Sequence, residues 1–192
     1  MKNILGAFIS ETIEDLKSAQ LKLENNKVNT LVINQDYFDQ KFMNDENIST
    51  YFDEITALKK INKPVLYWFQ INSSNNNKAL RTNFINYRDP LKKDFKHPKY
   101  RYTSAYKTKY SESSKTLYVG KVEKGFWGRL VTHLGYSQYK STAGMQLFHW
   151  YNPTLYGNIT LNYIVFDNEM KHLITVLEKH LANKLEPLIG IY

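Results

Sequence analysis

Apolar positions along this chain follow two rhythms. Residues 158–166, NITLNYIVF, alternate, so Ile159, Leu161, Tyr163 and Val165 share one face and predict a strand. The runs 29–33 (NTLVI), 65–71 (VLYWFQI) and 116–122 (TLYVGKV) are short and rich in β-branched or aromatic residues, and also predict strands. Helical spacing governs other stretches. Ile13, Leu16 and Leu23 predict a helix that stops at Asn25-Asn26. Tyr51, Phe52, Ile55 and Leu58 predict a second, with Ser49 as its cap and Pro64 beyond its end. Residues 126–134 predict a third. The clearest lies at 168–185, where Asn168 is the expected cap and Met170, Leu173, Ile174, Leu177, Leu181 and Leu185 form one apolar stripe.

No sustained period holds between residues 72 and 115. Residues 79–89 suit a basic helix or an ordered arm, and the rest is rich in Lys and Tyr. The order is strand, basic insertion, strand, helix, strand, helix. It predicts an α+β domain at 64–192, a small three-stranded sheet flanked by helices, with a basic insertion at 72–115. Residues 1–63 are expected to form an N-terminal helical extension.

Composition narrows the chemistry. The chain has 192 residues, enough for one domain with a real core, and no cysteine, which excludes disulfides, thiolate metal sites and cysteine nucleophiles. No apolar run is long enough to span a membrane, and the first residues lack a signal-peptide cleavage site, so the expected location is cytoplasmic. Residues 71–140 hold 15 Lys/Arg against 4 Asp/Glu, while the rest holds 11 against 14. A positive block of this kind suits a polyanion, because each neutralised phosphate releases a counterion.

Within this frame a few residues stand out. Arg129 and His133 share a helix face by their i, i+4 spacing. Glu178 lies at the flank of the last helix's stripe, half-shielded from water. Tyr67 and Tyr118 sit in predicted strands, and Gly120 follows the second. Together, "VLY" (Tyr67), "LYVGK" (Tyr118, Gly120), Arg129, His133 and Glu178 resemble the GIY-YIG endonuclease family over roughly residues 64–190. That family carries its two tyrosine motifs on strands of a three-stranded antiparallel sheet, an Arg and often a His on the next helix, and a metal-binding Glu on a later one. Two departures are visible. Tyr67 and Tyr118 are 51 positions apart, a spacing that restriction-enzyme members reach by insertions. Gly190 stands where the family often has Asn. Residues 190–192 spell Gly-Ile-Tyr; a family strand does not follow its own partner motifs, so these letters read as coincidence.

The resemblance implies an endonuclease that hydrolyses phosphodiester bonds in DNA with Mg²⁺ or Mn²⁺, such as a type II restriction enzyme. Its expected site is Tyr67 as general base, Tyr118 orienting water or phosphate, Arg129 on the scissile phosphate, His133 beside Tyr67 or phosphate, and Glu178 on the metal. Such groups supply an activated nucleophile and charge stabilisation. In the insertion, basic residues alternate with Phe84, Tyr87, Phe95, Tyr100, Tyr102, Tyr106 and Tyr110. Arg81, Arg88, Lys92, Lys93 and Arg101, with Lys121, are therefore the expected DNA contacts. Cutting a duplex suits a homodimer. A non-cleaving nucleic-acid-binding protein on the same fold, or an RNA or repair nuclease, fits the same residues.

Overall fold

A computed structural model describes residues 2–24, 27–42, 51–97, 100–137 and 141–192. Its centre is a sheet of β1 (Asn29–Ile33), β2 (Val65–Ile71), β3 (Thr116–Val122) and β4 (Ile159–Val165). The order is β1-β4-β2-β3, and every neighbouring pair is antiparallel. Helices α1 (Lys2–Glu24), α2 (Asp53–Leu58), α3 (Asn77–Lys92), α4 (Phe126–Leu134), α5 (Pro153–Tyr156) and α6 (Ile174–Leu185) surround it.

β2 lies inside the sheet and is buried from both sides, which is why VLYWFQI reads as a continuous run. Val65, Tyr67, Phe69 and Ile71 face the larger core, which α4 covers with Phe126, Leu130, Val131 and Leu134. Leu66 faces the opposite way, into a smaller cluster with Phe166, Met170, Leu173 and Ile174 beneath α6. The two cores put α4 and α6 on opposite faces of the sheet.

The sheet has four strands rather than the expected three. β1 pairs with β4 from Asn29 opposite Tyr163 to Ile33 opposite Ile159. The physical reason is that β4 would otherwise present an open edge beside the main core, and Leu31 and Ile33 close it. Residues 1–63 are accordingly more than a helical extension. Leu31, Ile33, Tyr37, Phe42, Ile55 and Leu58 share one core with Tyr67 and Phe69. Helix α1 behaves differently: Ile4, Leu5, Phe8, Ile9, Ile13 and Leu16 are exposed, and Asp15 reaches the body through His172 at 3.1 Å.

The last helix is shorter than its pattern suggested. A 3₁₀ turn at Asn168–Met170 precedes α6, so Asn168 begins that turn instead of capping the helix. The predicted stripe still packs: Met170, Leu173 and Ile174 are buried, with Leu177 and Leu181 partly so. The expected stop at Asn25-Asn26 and cap at Ser49 lie outside the described residues. In the insertion, α3 forms and an irregular arm follows it. Backbone bonds between Ser104 and Gly144 (2.9 Å) and between Gly144 and Tyr102 (3.1 Å) tie this arm to the loop after α4.

Candidate active site

The site grows from the crossing of β2, β3 and α4. Register places Tyr67 opposite Gly120, and Phe69 opposite Tyr118, so the two tyrosine rings lie on one face. Their centroids are 6.3 Å apart and nearly parallel. Glycine at 120 is what permits this. A Cβ there would stand 2.6 Å from Cζ and Oη of Tyr67 and 2.7 Å from Cε1 of Tyr118. The small residue in "LYVGK" is therefore a consequence of ring packing.

Arg129 and His133 point from α4 toward these rings instead of forming a surface pair. Arg129 donates from Nε to Tyr67 Oη at 2.9 Å, from Nη2 to Tyr118 Oη at 3.2 Å, and from Nη1 to the Ala143 carbonyl. One planar guanidinium thus joins both phenols and the loop after α4. Burial works against its charge, and the adjacent oxygens of Tyr67 and Tyr118 more than offset that, holding its pKa above the ordinary value.

His133 is fully buried. Its Nδ1 lies 3.2 Å from the backbone nitrogen of Met145, and its Nε2 lies 2.9 Å from Tyr67 Oη. A backbone N–H can only donate, so Nδ1 is the acceptor and the neutral ring carries its proton on Nε2. Burial, then Arg129, holds His133 well below its ordinary pKa, which keeps that neutral form. Two N–H donors therefore converge on Tyr67 Oη, and neither accepts the phenol's own proton. Two opposing effects act on Tyr67. Its donors favour the phenolate, but burial dominates and pushes its pKa up despite Arg129.

A cleft of about 520 Å³ opens beside this cluster at the β3 edge, lined by Tyr118, Arg129 and Glu178. Sequence reasoning brought together residues that the fold also brings together. Tyr67 and His133 are fully buried and do not line the cleft; of the two strand tyrosines, Tyr118 is the one that does. Direct proton transfer from water to Tyr67 is therefore not open in this arrangement, because its ring sits behind Gly120 and Tyr118.

Glu178 is half-buried on α6. Burial raises its pKa, against the charge of Lys121, the Lys121 backbone N–H, and the charges of Arg129 and Lys179. Among the described residues it forms no ion pair, and no group of three or more His, Cys, Asp or Glu side chains is assembled. A lone shielded carboxylate fits a hydrated Mg²⁺, which binds through one or two carboxylates plus substrate phosphates.

The expected DNA contacts divide. Arg88, Lys92 and Arg101 line the cleft, and Lys92 and Lys93 continue into a neighbouring groove beside Arg88. Arg101 is buried, donating to the carbonyls of Ser137 (3.3 Å) and Tyr100 (2.8 Å). Lys121 is half-buried beside Glu178. Arg81 does not join the track. It is buried under the arm, bonds the Lys107 carbonyl, and lies 4.3 Å from the ring of Tyr110 and 5.0 Å from that of Tyr106. The folded arm turns this charge inward, which composition alone does not reveal.

Sequence reasoning missed three participants: the Ala143 carbonyl, the Met145 amide and Tyr192, which lines the cleft beside Tyr118. The first two are backbone groups with no residue signal, and the bonds of Tyr192 are to backbone groups of Val119. Among the described residues, no helix is long and apolar enough to cross a membrane. No family model, curated protein or solved structure matches the chain.

Proposed function

We propose that this chain is a metal-dependent DNA endonuclease of GIY-YIG type. The observation that carries the reading is one guanidinium bonded to two tyrosines at the wall of a basic cleft that also holds a shielded carboxylate. A scissile phosphate in the cleft meets Arg129, whose charge stabilises the phosphoryl oxygens as the attacking oxygen adds and the bond to the 3′-oxygen breaks. Tyr118 bonds the phosphate or orients the water. Tyr67 and His133 stand behind, fixing the guanidinium plane. A divalent cation held by Glu178 would supply Lewis-acid stabilisation and a water of lowered pKa. Lys92 and Lys93 lead the DNA backbone toward the cleft, beside Arg88, whose guanidinium is paired with Asp89 at 2.6 Å.

Cutting both strands takes two such sites, which a symmetric homodimer supplies. The apolar side of α1 is the surface that suits a second copy.

Plasmid and RNA substrates incubated with Mg²⁺, Mn²⁺ or chelator test the reading. Metal-dependent discrete plasmid bands are expected, with Glu178→Ala still binding DNA but not cutting. RNA products alone would assign an RNA nuclease. DNA binding with no product in either metal would assign the non-cleaving binder.

A further inference from the structure

The Gly-Ile-Tyr at residues 190–192 has no part in the reading above, and its geometry is specific. The segment before it follows β3: Leu188 and Ile189 donate to the carbonyls of Thr116 and Leu117 at 3.0 Å each. Gly190 then donates to the Ala105 carbonyl at 2.7 Å, which links the segment to the basic arm. Gly190 has φ +117°, and a Cβ there would lie 2.3–2.6 Å from Tyr192 ring atoms. The glycine thus turns the chain and lets the following tyrosine fold back over it.

β3 is the outer strand of the sheet on this side. The Tyr192 hydroxyl reaches its outer edge, where it donates to the Val119 carbonyl and accepts from the Val119 N–H at 3.3 Å. Val119 sits between Tyr118 and Gly120. The Tyr192 ring also meets the Tyr118 ring edge-on, with centroids 6.4 Å apart. Burial, then Tyr118, raises the Tyr192 pKa well above the ordinary value, so the phenol stays a donor.

We propose that Tyr192 is a positioning residue of the cleft. Its hydroxyl occupies both outward main-chain groups of Val119, and its ring braces Tyr118, so that Tyr118 is held against Arg129. Residues 188–192 act as a clasp between β3 and the arm. This proposal rests on the nuclease reading for its catalytic consequence, but not for the clasp itself.

Tyr192→Phe keeps the ring and removes only the hydroxyl. The experiment measures amide hydrogen exchange at Val119 by NMR in the free protein, then single-turnover DNA cleavage and DNA affinity. In the variant, Val119 exchange should speed about tenfold or more, and the cleavage rate should fall roughly tenfold with DNA affinity unchanged, the signature of a displaced group. Gly190→Ala, which keeps the hydroxyl but displaces the ring, should act in the same direction. Unchanged Val119 exchange in Tyr192→Phe would overturn the clasp. Faster exchange with cleavage at the wild-type rate would overturn the positioning role. If the wild-type protein cuts nothing, the nuclease reading and the positioning role both fall, while Val119 exchange still decides the clasp separately.

Discussion

Replacing Gly120 by alanine puts a methyl group into the space between the two tyrosines. The new carbon would sit 2.6 Å from Cζ and Oη of Tyr67, whereas relaxed carbon contacts lie at about 3.5 Å or more. Tyr67 must move by about 1 Å. It has no easy way to do so, because its ring is fully buried and its hydroxyl is held at 2.9 Å by both Arg129 and His133. Overpacking of this kind costs about 1–3 kcal/mol. Stretching two bonds to a buried oxygen, one from a charged donor, adds about 1–2 kcal/mol. A total near 3 kcal/mol lowers the melting temperature of a chain this size by roughly 6–12 °C. A 1 Å displacement of the guanidinium cluster is also expected to slow cleavage about 100-fold. Thermal melts and single-turnover cleavage of Gly120→Ala measure both effects. Combining it with Tyr67→Phe should cost less than the sum, because both changes remove the same bonds. A Gly120→Ala protein that melts within about 2 °C of wild type and cuts normally would refute the packing argument.

Glu178→Gln removes a shielded charge whose pKa burial raises, so folding favours the protonated form. That contribution is complete below the unfolded carboxylate pKa and lost as pH rises through the folded one. At neutral pH the variant should therefore melt slightly higher than wild type while losing cleavage. For His133 the shift is downward, so its stabilising neutral form is complete above about pH 6.5 and lost as pH falls toward the folded pKa. Melts across that acid window should be flatter for His133→Gln than for wild type. Lys92→Ala should reduce the slope of log affinity against log salt by about one unit, whereas Arg81→Ala should leave the slope alone and lower the melting temperature. On α1, Leu5, Phe8, Ile9, Ile13 and Leu16 are 37–64% exposed. Paired across a two-fold axis, two such apolar faces are expected to reach about the 1,000 Å² that a specific interface must clear. Sedimentation should show a dimer that Ile9→Glu with Leu16→Glu converts to monomer; a wild-type monomer at micromolar concentration would refute this.

The strands and α4 were legible because their signals are local: alternation in β4, and i, i+4 spacing for Arg129 and His133. Tyr118, Arg129 and Glu178 were found together only because a family resemblance supplied what spacing cannot, their approach in space. β1 was visible as NTLVI, but its place beside β4 was not, because that pairing joins residues more than a hundred positions apart. Arginines 81 and 101 resemble surface cations in the sequence, and only the folded arm surrounds them with carbonyls and rings. The place of Tyr192 was not legible for a similar reason: its hydroxyl bonds main-chain groups of β3, which leave no pattern in side chains.

The strand order also bears on how this chain is made. β4 separates β1 from β2, yet it leaves the ribosome after both. Until residue 165 has emerged, the first strand has nowhere to dock and its apolar Leu31 and Ile33 stay unsheltered. Closure of the sheet is thus a late, long-range event. Nascent chains arrested before that point are the species expected to need chaperone protection.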